Sequence, residues 1–251
     1  MQLTEKEQQA RLKVCLPLDG IHTMSELRST IEELSPVVGL FKIGKESYTR
    51  FGPHAIEAIH NTNANVFLDL KYHDIPNTVK GAAKAAAELQ VYMFNVHAMG
   101  GIEMMRAAVE GASSISTSNT PKPYIIGVTI LTSIDQTIMN EELKIPGTVE
   151  NQVLQLGKNA QKAGLDGIVC SAIDLPHIKH ELPTNFMYVT PGIQGPHTSA
   201  GSDQKRICTP GNAIQDGSTI LVVGRVITLP KTPEARLQAG YEILQDMAKY
   251  L

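Results

Sequence analysis

The sequence predicts a single domain of the α/β class, a closed (β/α)8 TIM barrel over residues 1–251. Eight short apolar segments of strand type alternate with helical segments, and alternating βα units form parallel sheets with right-handed crossovers. A chain of 251 residues is long enough for one such barrel. An open doubly wound sheet is the main alternative, but no G-x-G-x-x-G follows the first strand and no G-x-x-x-x-G-K-[ST] occurs anywhere.

Each predicted strand is an apolar run that ends at a glycine, a proline or a polar side chain, as strands bounded by turns do. The third predicted strand starts at residue 66. The other seven cover residues 14–18, 37–44, 93–97, 124–131, 167–170, 185–190 and 219–223. After a short polar segment at residues 1–12, the predicted helices are residues 23–34, 53–60, 78–89, 101–111, 149–163, 172–180, 210–216 and 233–250. Thr23 and Glu26 have the spacing of a capping box, and Asn77 or Thr78 can cap the alanine-rich helix.

Composition excludes several classes of protein. Apolar residues make up 42% and charged residues 19% of the chain, which is ordinary for a globular domain. A net charge of −3 and a pI near 6.2 give no basic footprint for nucleic acid or an anionic membrane. No apolar run reaches the roughly 18 residues of a membrane span, and no signal peptide is recognisable. Cys15, Cys170 and Cys208 suggest neither disulfides nor a CxxC metal site, so we expect a cytoplasmic protein.

The third strand ends in an unusual concentration of charge. Asp69 and Lys71 are two residues apart, so on a strand they share a face, and Asp74 follows in a short loop closed by Pro76. This spacing predicts one ammonium group between two carboxylates. A surface cluster of ion pairs is the simpler interpretation, but the carboxyl ends of barrel strands are where active sites lie.

Other predicted strands end in hydrogen-bonding residues, which the barrel would bring to the same rim. These residues are Asp19, Lys42, His97, Thr132, Ser133, Ser171, Gly224 and Arg225. Barrels commonly bind phosphate with the loops after strands seven and eight. Here those loops contain Pro191, Gln194, Gln204, Gly224 and Arg225, and a guanidinium group suits phosphate oxygens. The Gly- and Ser-rich segment 194–203 is typical of a loop that closes over a bound anion.

The string Asp69-x-Lys71-x-x-Asp74-Ile75-x-x-Thr78 resembles the signature of the orotidine 5'-phosphate decarboxylase family, and its longer form resembles the bacterial branch. Further landmarks resemble the family in order along most of the chain, including Lys42-Ile-Gly, Leu131-Thr-Ser, Thr190-Pro-Gly-Ile and Val223-Gly-Arg. The resemblance implies decarboxylation of orotidine 5'-phosphate to UMP in pyrimidine biosynthesis, with no cofactor and no metal.

The resemblance also implies a role for each site residue. Lys71, Asp69, Asp74 and Lys42 would form the catalytic array, with Lys71 as the acid that protonates a carbanion at C6. Asp19 and Lys42 would hold ribose hydroxyls, and Thr132 and Ser133 would meet the pyrimidine or ribose. Pro191, Gln194, Gln204, Gly224 and Arg225 would lie at the phosphate end. Ile75 and Thr78, with Asp74, would reach the neighbour's site in a homodimer. Gln194 departs from the family pattern, because bacterial members often carry arginine there.

Three other functions remain open. A metal-dependent sugar-phosphate decarboxylase or aldolase of the same superfamily shares Asp-x-Lys-x-x-Asp, but Lys42 stands where those relatives have a carboxylate for Mg²⁺. A Schiff-base aldolase needs a neutral Lys71, which flanking carboxylates disfavour. A non-catalytic barrel that binds phosphate ligands would not need the full set of rim residues. We expect His73 and His97 to be structural, or to support residues of the site without contacting the substrate, rather than to be catalytic.

Overall fold

The computed structural model describes residues 2–117, 121–195 and 208–251. The strands are β1 (Val14–Pro17), β2 (Leu40–Gly44), β3 (Asn65–Tyr72), β4 (Met93–His97), β5 (Tyr124–Val128), β6 (Gly167–Val169), β7 (Met187–Thr190) and β8 (Ile220–Val222). Each strand pairs in parallel with its neighbours in sequence, and β8 pairs with β1 to close the barrel. The predicted (β/α)8 fold is confirmed.

Helices follow the strands around the outside of the barrel. They are α1 (Glu5–Arg11), α2 (Met24–Leu34), α3 (Lys45–Phe51), α4 (His54–His60), α5 (Pro76–Glu88), α6 (Gly101–Ser113), α7 (Val149–Ala163), α8 (Leu175–Ile178), α9 (Pro210–Asp216), α10 (Arg225–Thr228) and α11 (Pro233–Ala248). In the part of the chain that is described, none of them combines the length and apolarity needed to cross a bilayer.

Most helices lie where the sequence predicts them, and α7 and α9 have the predicted bounds. Two short helices, α3 and α10, were missed. Each begins directly after a strand, with Gly44 or Gly224 as its N-cap and no capping side chain. Because the usual Ser, Thr, Asp or Asn start signal is absent, a prediction from pattern passes over both.

Two predicted helix starts differ from the structure. The N-cap of α5 is Ile75, and no side chain caps it, so the expected cap by Asn77 or Thr78 is wrong. Pro76 occupies the first helical position, where its fixed φ suits a helix, and this places Asn77 and Thr78 inside the first turn. At α2, Thr23 Oγ1 accepts from Glu26 N as expected, but Glu26 Oε2 accepts from His22 N, so the box is incomplete.

The core has two layers. Inside the barrel, a small apolar cluster fills the lower part of the lumen. Its buried members are Cys15, Leu40, Phe67, Met93, Ile126, Val189 and Ile220. A larger cluster lies between the strands and the helices. Because side chains alternate between the two faces of each strand, inward positions nearer the carboxyl ends point into the barrel mouth above the inner cluster.

Helices α5 and α6 pack with unusually close backbones. Gly111 on α6 faces the carbonyl group of Lys80 on α5, and a Cβ atom added to Gly111 would overlap that carbonyl oxygen. Gly81, the next residue on α5, has nothing within 4 Å of such a Cβ. The two glycines therefore occupy neighbouring helices in opposite environments.

We expect Gly111→Ala to lower the free energy of unfolding by about 1–3 kcal/mol, since overpacking must separate two backbones. Gly81→Ala, the matched control, should raise it by about 0.5–1 kcal/mol, because alanine orders a helix at lower entropic cost than glycine. Chemical denaturation followed by circular dichroism measures both. Equal effects of the two substitutions would contradict this account of the packing.

Candidate active site

A cavity of about 240 Å³ opens at the carboxyl ends of the strands, above the inner apolar cluster. Its polar lining brings together residues from β2, β3, β4 and the loop after β5. The predicted site residues that line it are Lys42, Asp69, Lys71, Thr132, Ser133 and Pro191. Apolar walls come from strands on the other side of the barrel, including Val169, Val189 and Val222. The cavity therefore has one charged side and one apolar side, which suits a small-molecule ligand with both charged and apolar parts.

A larger open depression of about 680 Å³ lies elsewhere, against α1 and α11. Its lining includes Arg11, Glu32 and Tyr241 and none of the residues predicted for the site. The chemistry of the smaller cavity, rather than size, places the candidate active site there.

Four charged side chains form a chain of alternating sign. Lys42 Nζ lies 3.3 Å from Asp19 Oδ2 and 3.0 Å from Asp69 Oδ2, and Lys71 Nζ lies 2.5 Å from Asp69 Oδ1. The two residues at the centre are deeply buried, with Lys42 8% and Asp69 7% exposed. Asp69 therefore bridges two lysines, one from each of two adjacent strands.

The pKa values of the central pair follow from this arrangement. Burial alone would raise the pKa of Asp69, but the ammonium groups of Lys42 and Lys71 outweigh it and hold that pKa below its usual value. Burial would likewise lower the pKa of Lys42, but Asp69 and Asp19 outweigh it and hold that pKa above its usual value. Both groups are therefore charged at neutral pH, and their mutual stabilisation is lost only in strong acid or strong base.

Lys71 has an uncommon backbone conformation. Its φ is 52°, in the left-handed region that side chains other than glycine rarely adopt. The pairing of β3 with β4 also shifts register between Leu68 and Tyr72. Asp69 and Lys71 form the predicted ion pair. The prediction assumed a regular strand with alternating side chains, whereas β3 is irregular between these two residues. Strained backbone of this kind concentrates at functional sites.

Asp74 differs from the expectation. Within this chain no ion pair joins it to Lys71 in the described residues, so the predicted ammonium between Asp69 and Asp74 is not formed. It is Lys42 that lies between two carboxylates. Asp74 is exposed, and its Oδ1 accepts a hydrogen bond of 2.7 Å from Ile75 N. The reason is that the chain turns outward after β3, which leaves Ile75 67% exposed at the start of α5.

The predicted phosphate residues are only partly described. Gly224 and Arg225 follow β8 as expected and form the start of α10, with Arg225 exposed. Gln194 N donates a hydrogen bond to Cys208 O at 2.9 Å. Gln204 lies outside the described residues, as do residues 196–203 of the loop predicted to close over an anion. None of Gln194, Gly224 and Arg225 lines the 240 Å³ cavity, so their role in binding phosphate stays a prediction.

Asn95 is a member of the site that the sequence interpretation missed. Its side chain is buried among charged groups, with Oδ1 accepting from Lys71 N at 2.8 Å and Nδ2 donating to Asp69 Oδ1 at 2.6 Å. The available signal was a lone amide inside the apolar run Met93-Phe-Asn-Val, because buried polar groups require partners.

The two histidines contact each other beside the site. The rings of His73 and His97 have centroids 5.4 Å apart. Burial, followed by the nearby His73, lowers the pKa of His97 to about 4. His97 is therefore neutral at neutral pH, which leaves the array's charge to its lysines and carboxylates.

The first turn of α3 holds the loop that carries Asp19. Ser47 Oγ donates to Leu18 O, and Glu46 Oε2 accepts from Gly20 N at 3.2 Å. Gly44, directly before this helix, leaves room for the charges. A Cβ atom there would lie 2.6 Å from Asp19 Oδ1 and 3.0 Å from Lys42 Nζ. Gly44 is a second residue whose importance only the structure reveals.

The fold and the site together define the class: a (β/α)8-barrel enzyme whose candidate active site is an array of lysines and carboxylates at the carboxyl ends of the strands. The sequence profile described as "Orotidine 5'-phosphate decarboxylase / HUMPS family" matches residues 12–239. The chain belongs to that family.

Individual relatives agree over nearly the whole chain. The orotidine 5'-phosphate decarboxylase of Syntrophus aciditrophicus is 43% identical over 250 residues, which are 99% of this chain and 97% of the relative. That of Pseudoalteromonas translucida is 46% identical over 225 residues, 90% of this chain and 94% of the relative. The crystal structure of the Lactobacillus acidophilus orotidine 5'-phosphate decarboxylase superposes with a TM-score of 0.81 at 33% identity, covering 93% of this chain and 98% of that one.

We expect Gly44→Ala to reduce decarboxylase kcat/KM roughly 10-fold to 100-fold, since about 1–3 kcal/mol of overpacking would fall on the Asp19–Lys42 pair. Gly127→Ala on β5 is the matched control. The atoms nearest to its added Cβ would belong to the apolar side chains of Leu165, Ala160 and Ala98, on the helix side of the strand. Steady-state kinetics should show full activity for the folded control. An equal loss of kcat/KM in both variants would contradict a specific effect on the Asp19–Lys42 pair and would indicate a general effect of packing.

Proposed function

We propose that this protein converts orotidine 5'-phosphate to UMP and CO2, the last step of pyrimidine nucleotide synthesis, without a cofactor. The observation that carries the proposal is the Lys42–Asp69–Lys71 array lining the barrel cavity of a chain that belongs to the decarboxylase family. Relatives named orotidine 5'-phosphate decarboxylase cover almost all of the chain, so the match is not confined to a shared motif.

The reaction has one difficult intermediate. When the bond between C6 and the carboxylate carbon breaks, CO2 leaves and the electron pair stays on C6 of the pyrimidine. A site that accelerates this step must stabilise the developing negative charge with groups that are already oriented. In our proposal the ammonium group of Lys71 does so and then donates its proton to C6, and solvent later returns a proton to Lys71.

Asp69 has two effects on this chemistry. Its carboxylate holds Lys71 Nζ at 2.5 Å and Lys42 Nζ at 3.0 Å, so neither lysine needs to reorient during the reaction. It would also lie near the departing carboxylate of the substrate. We attribute the rate acceleration to the fixed lysine that faces the carbanion, because preorganised charge avoids reorganisation in the transition state.

The rest of the site would orient the nucleotide. Thr132 and Ser133 line the cavity after β5, where they can bind the pyrimidine or the ribose. Asp19 and Lys42 would hold ribose hydroxyls. Phosphate would lie toward Pro191, Gln194, Gln204, Gly224 and Arg225. Binding energy from a remote phosphate can be used to position the reacting ring.

The metal-dependent alternative fits this site poorly. A divalent cation would need the carboxylates of Asp69 and a residue at the end of β2, but the β2 residue here is Lys42. Its ammonium group is ion-paired to both Asp19 and Asp69. A cation would have to displace that ammonium group or lie beside it. The Schiff-base alternative is also disfavoured, because Lys71 Nζ is ion-paired with Asp69 Oδ1 at 2.5 Å rather than free to attack a carbonyl.

The proposed activity is tested by adding orotidine 5'-phosphate to the purified protein and following the change in ultraviolet absorbance. We expect wild type to turn over with EDTA present and Lys71→Ala to lose at least about 10³-fold in kcat, since it lacks both the charge and the proton donor. Lys158→Ala is the matched control, since Lys158 lies on α7, outside the cavity lining, and is ion-paired with the exposed Glu181. Inactive wild type, or loss of activity on chelation, would overturn the proposal.

We propose further that the protein is a homodimer in which Asp74, Ile75 and Thr78 enter the partner's site. The support is their position at the exposed start of α5. Asp74 is exposed beside Ile75, whose apolar side chain is 67% exposed. A carboxylate and an apolar group projecting together suit a surface that another subunit covers. The single-domain organisation, the cytoplasmic location and the lack of a nucleic-acid partner stay predictions.

Mixing two inactive variants tests the shared site. After Lys71→Ala and Asp74→Ala subunits are unfolded and refolded together, half of the dimers should be hybrids with one intact site. Activity should therefore return to about one quarter of wild type, as the symmetry of a shared site requires. The control is each variant refolded alone. A mixture no more active than the separate variants would contradict sharing.

A further inference from the structure

The strand β3 contains a bulge opposite one residue of β4. Leu68 pairs with Phe94 and Tyr72 pairs with Val96, so Asp69, Leu70 and Lys71 lie opposite a single residue, Asn95. Bulges leave backbone groups without their ladder partners and redirect side chains, and they occur next to active sites. This bulge contains both the carboxylate and the lysine of the proposed chemistry.

The side chain of Asn95 accepts the hydrogen bond from a backbone N–H group in the bulge that has no ladder partner. Its Oδ1 accepts from Lys71 N at 2.8 Å, where a regular ladder would offer a backbone carbonyl. Its Nδ2 donates to Asp69 Oδ1 at 2.6 Å. The orientation of the amide follows from chemistry, because a backbone N–H only donates and an ionised carboxylate only accepts. Asn95 is 1% exposed although it borders the cavity, so the protein and not bulk solvent satisfies its amide.

Both bonds act on groups that the reaction needs in fixed positions. The bond to Lys71 N holds a residue whose φ is 52°, a conformation that persists only when its surroundings enforce it. The bond to Asp69 completes the environment of that carboxylate, whose Oδ1 also binds Lys71 Nζ and whose Oδ2 binds Lys42 Nζ. One neutral side chain thus constrains the lysine backbone and the carboxylate that orients its ammonium group.

We propose that Asn95 is a positioning residue for the decarboxylation: it holds the β3 bulge so that Lys71 and Asp69 face the substrate in fixed geometry. This inference rests on the proposed function. Asn95 need not touch the reacting atoms, because it acts through Lys71 and Asp69. Its loss should therefore lower kcat much more than it changes the affinity for nucleotide.

The side-chain chemistry predicts different results for two substitutions. Asn95→Leu keeps the branched shape and the number of heavy atoms but removes both hydrogen bonds. Asn95→Asp keeps the shape, but in its charged form it sets a second carboxylate against Asp69. That repulsion raises the pKa of the introduced carboxyl, and only its protonated form can donate to Asp69 while accepting from Lys71 N. Activity of Asn95→Asp should therefore be rescued at low pH and fall as pH rises.

The experiment measures kcat, KM and their pH profiles for wild type and both variants, with folding checked by circular dichroism and UMP binding. We expect kcat of Asn95→Leu to fall roughly 10²-fold, as misplacement of about 1 Å can cause, with KM changed less than about threefold. Asn159→Asp on α7 is the matched control for an added carboxyl. Its profile should equal that of wild type, since Asn159 is partly exposed on α7, lies outside the cavity lining, and its Oδ1 accepts a hydrogen bond from Gln155 Nε2.

A wild-type kcat in Asn95→Leu, or a profile of Asn95→Asp that equals wild type, would overturn the inference. Crystal structures of wild type and Asn95→Leu give a readout that does not depend on activity. We expect Lys71 to leave positive φ and its Nζ to move away from Asp69 in the variant, and unchanged geometry would also overturn the inference. Inactivity of wild type with a changed geometry in Asn95→Leu would instead refute only the proposed reaction.

Discussion

The carboxylate of Asp69 is the interaction on which the site depends. One oxygen contacts Lys42 Nζ, and the other contacts both Lys71 Nζ and Asn95 Nδ2. Two ammonium groups at the mouth of a barrel would repel each other and resist burial without this anion. Removing one partner from a buried pair costs about 3–5 kcal/mol, because the other charge stays uncompensated. Asp69 therefore holds both lysines in place and permits the burial of Lys42.

The barrel makes this arrangement possible. Lys42 on β2, Asp69 on β3 and Asn95 on β4 come from consecutive strands, and parallel pairing brings their carboxyl ends to one rim. The inner apolar cluster beneath them excludes water from below, which strengthens the interactions between charges. Gly44 contributes by having no side chain where Asp19 and Lys42 meet. The strands of the barrel carry Lys42, Asp69 and Lys71, whereas in the proposed function loops after the strands would bind the rest of the nucleotide.

Much of the site was predictable because its signals are local. Asp69 and Lys71 are two residues apart at the end of an apolar run, and Lys42 ends another such run. Thr132, Ser133 and Pro191 follow strands in the same way and do line the cavity. Asn95 was missed because it acts on Asp69 and Lys71 of the neighbouring strand, and Gly44 because the space it leaves is seen only once Asp19, from the loop after β1, lies against Lys42. Asp74 was placed beside Lys71 by spacing, but the outward turn before Pro76 separates them within the chain.

The sequence by itself determined the fold class, because eight alternating apolar and amphipathic segments have few ways to bury their faces. It also determined which charged residues reach the rim, since strand ends are set by local pattern. Only the tertiary structure decided which charges pair, that Lys71 adopts positive φ, and that Asn95 completes the bulge. These features depend on the register between strands, which arises from contacts between residues that are far apart in sequence.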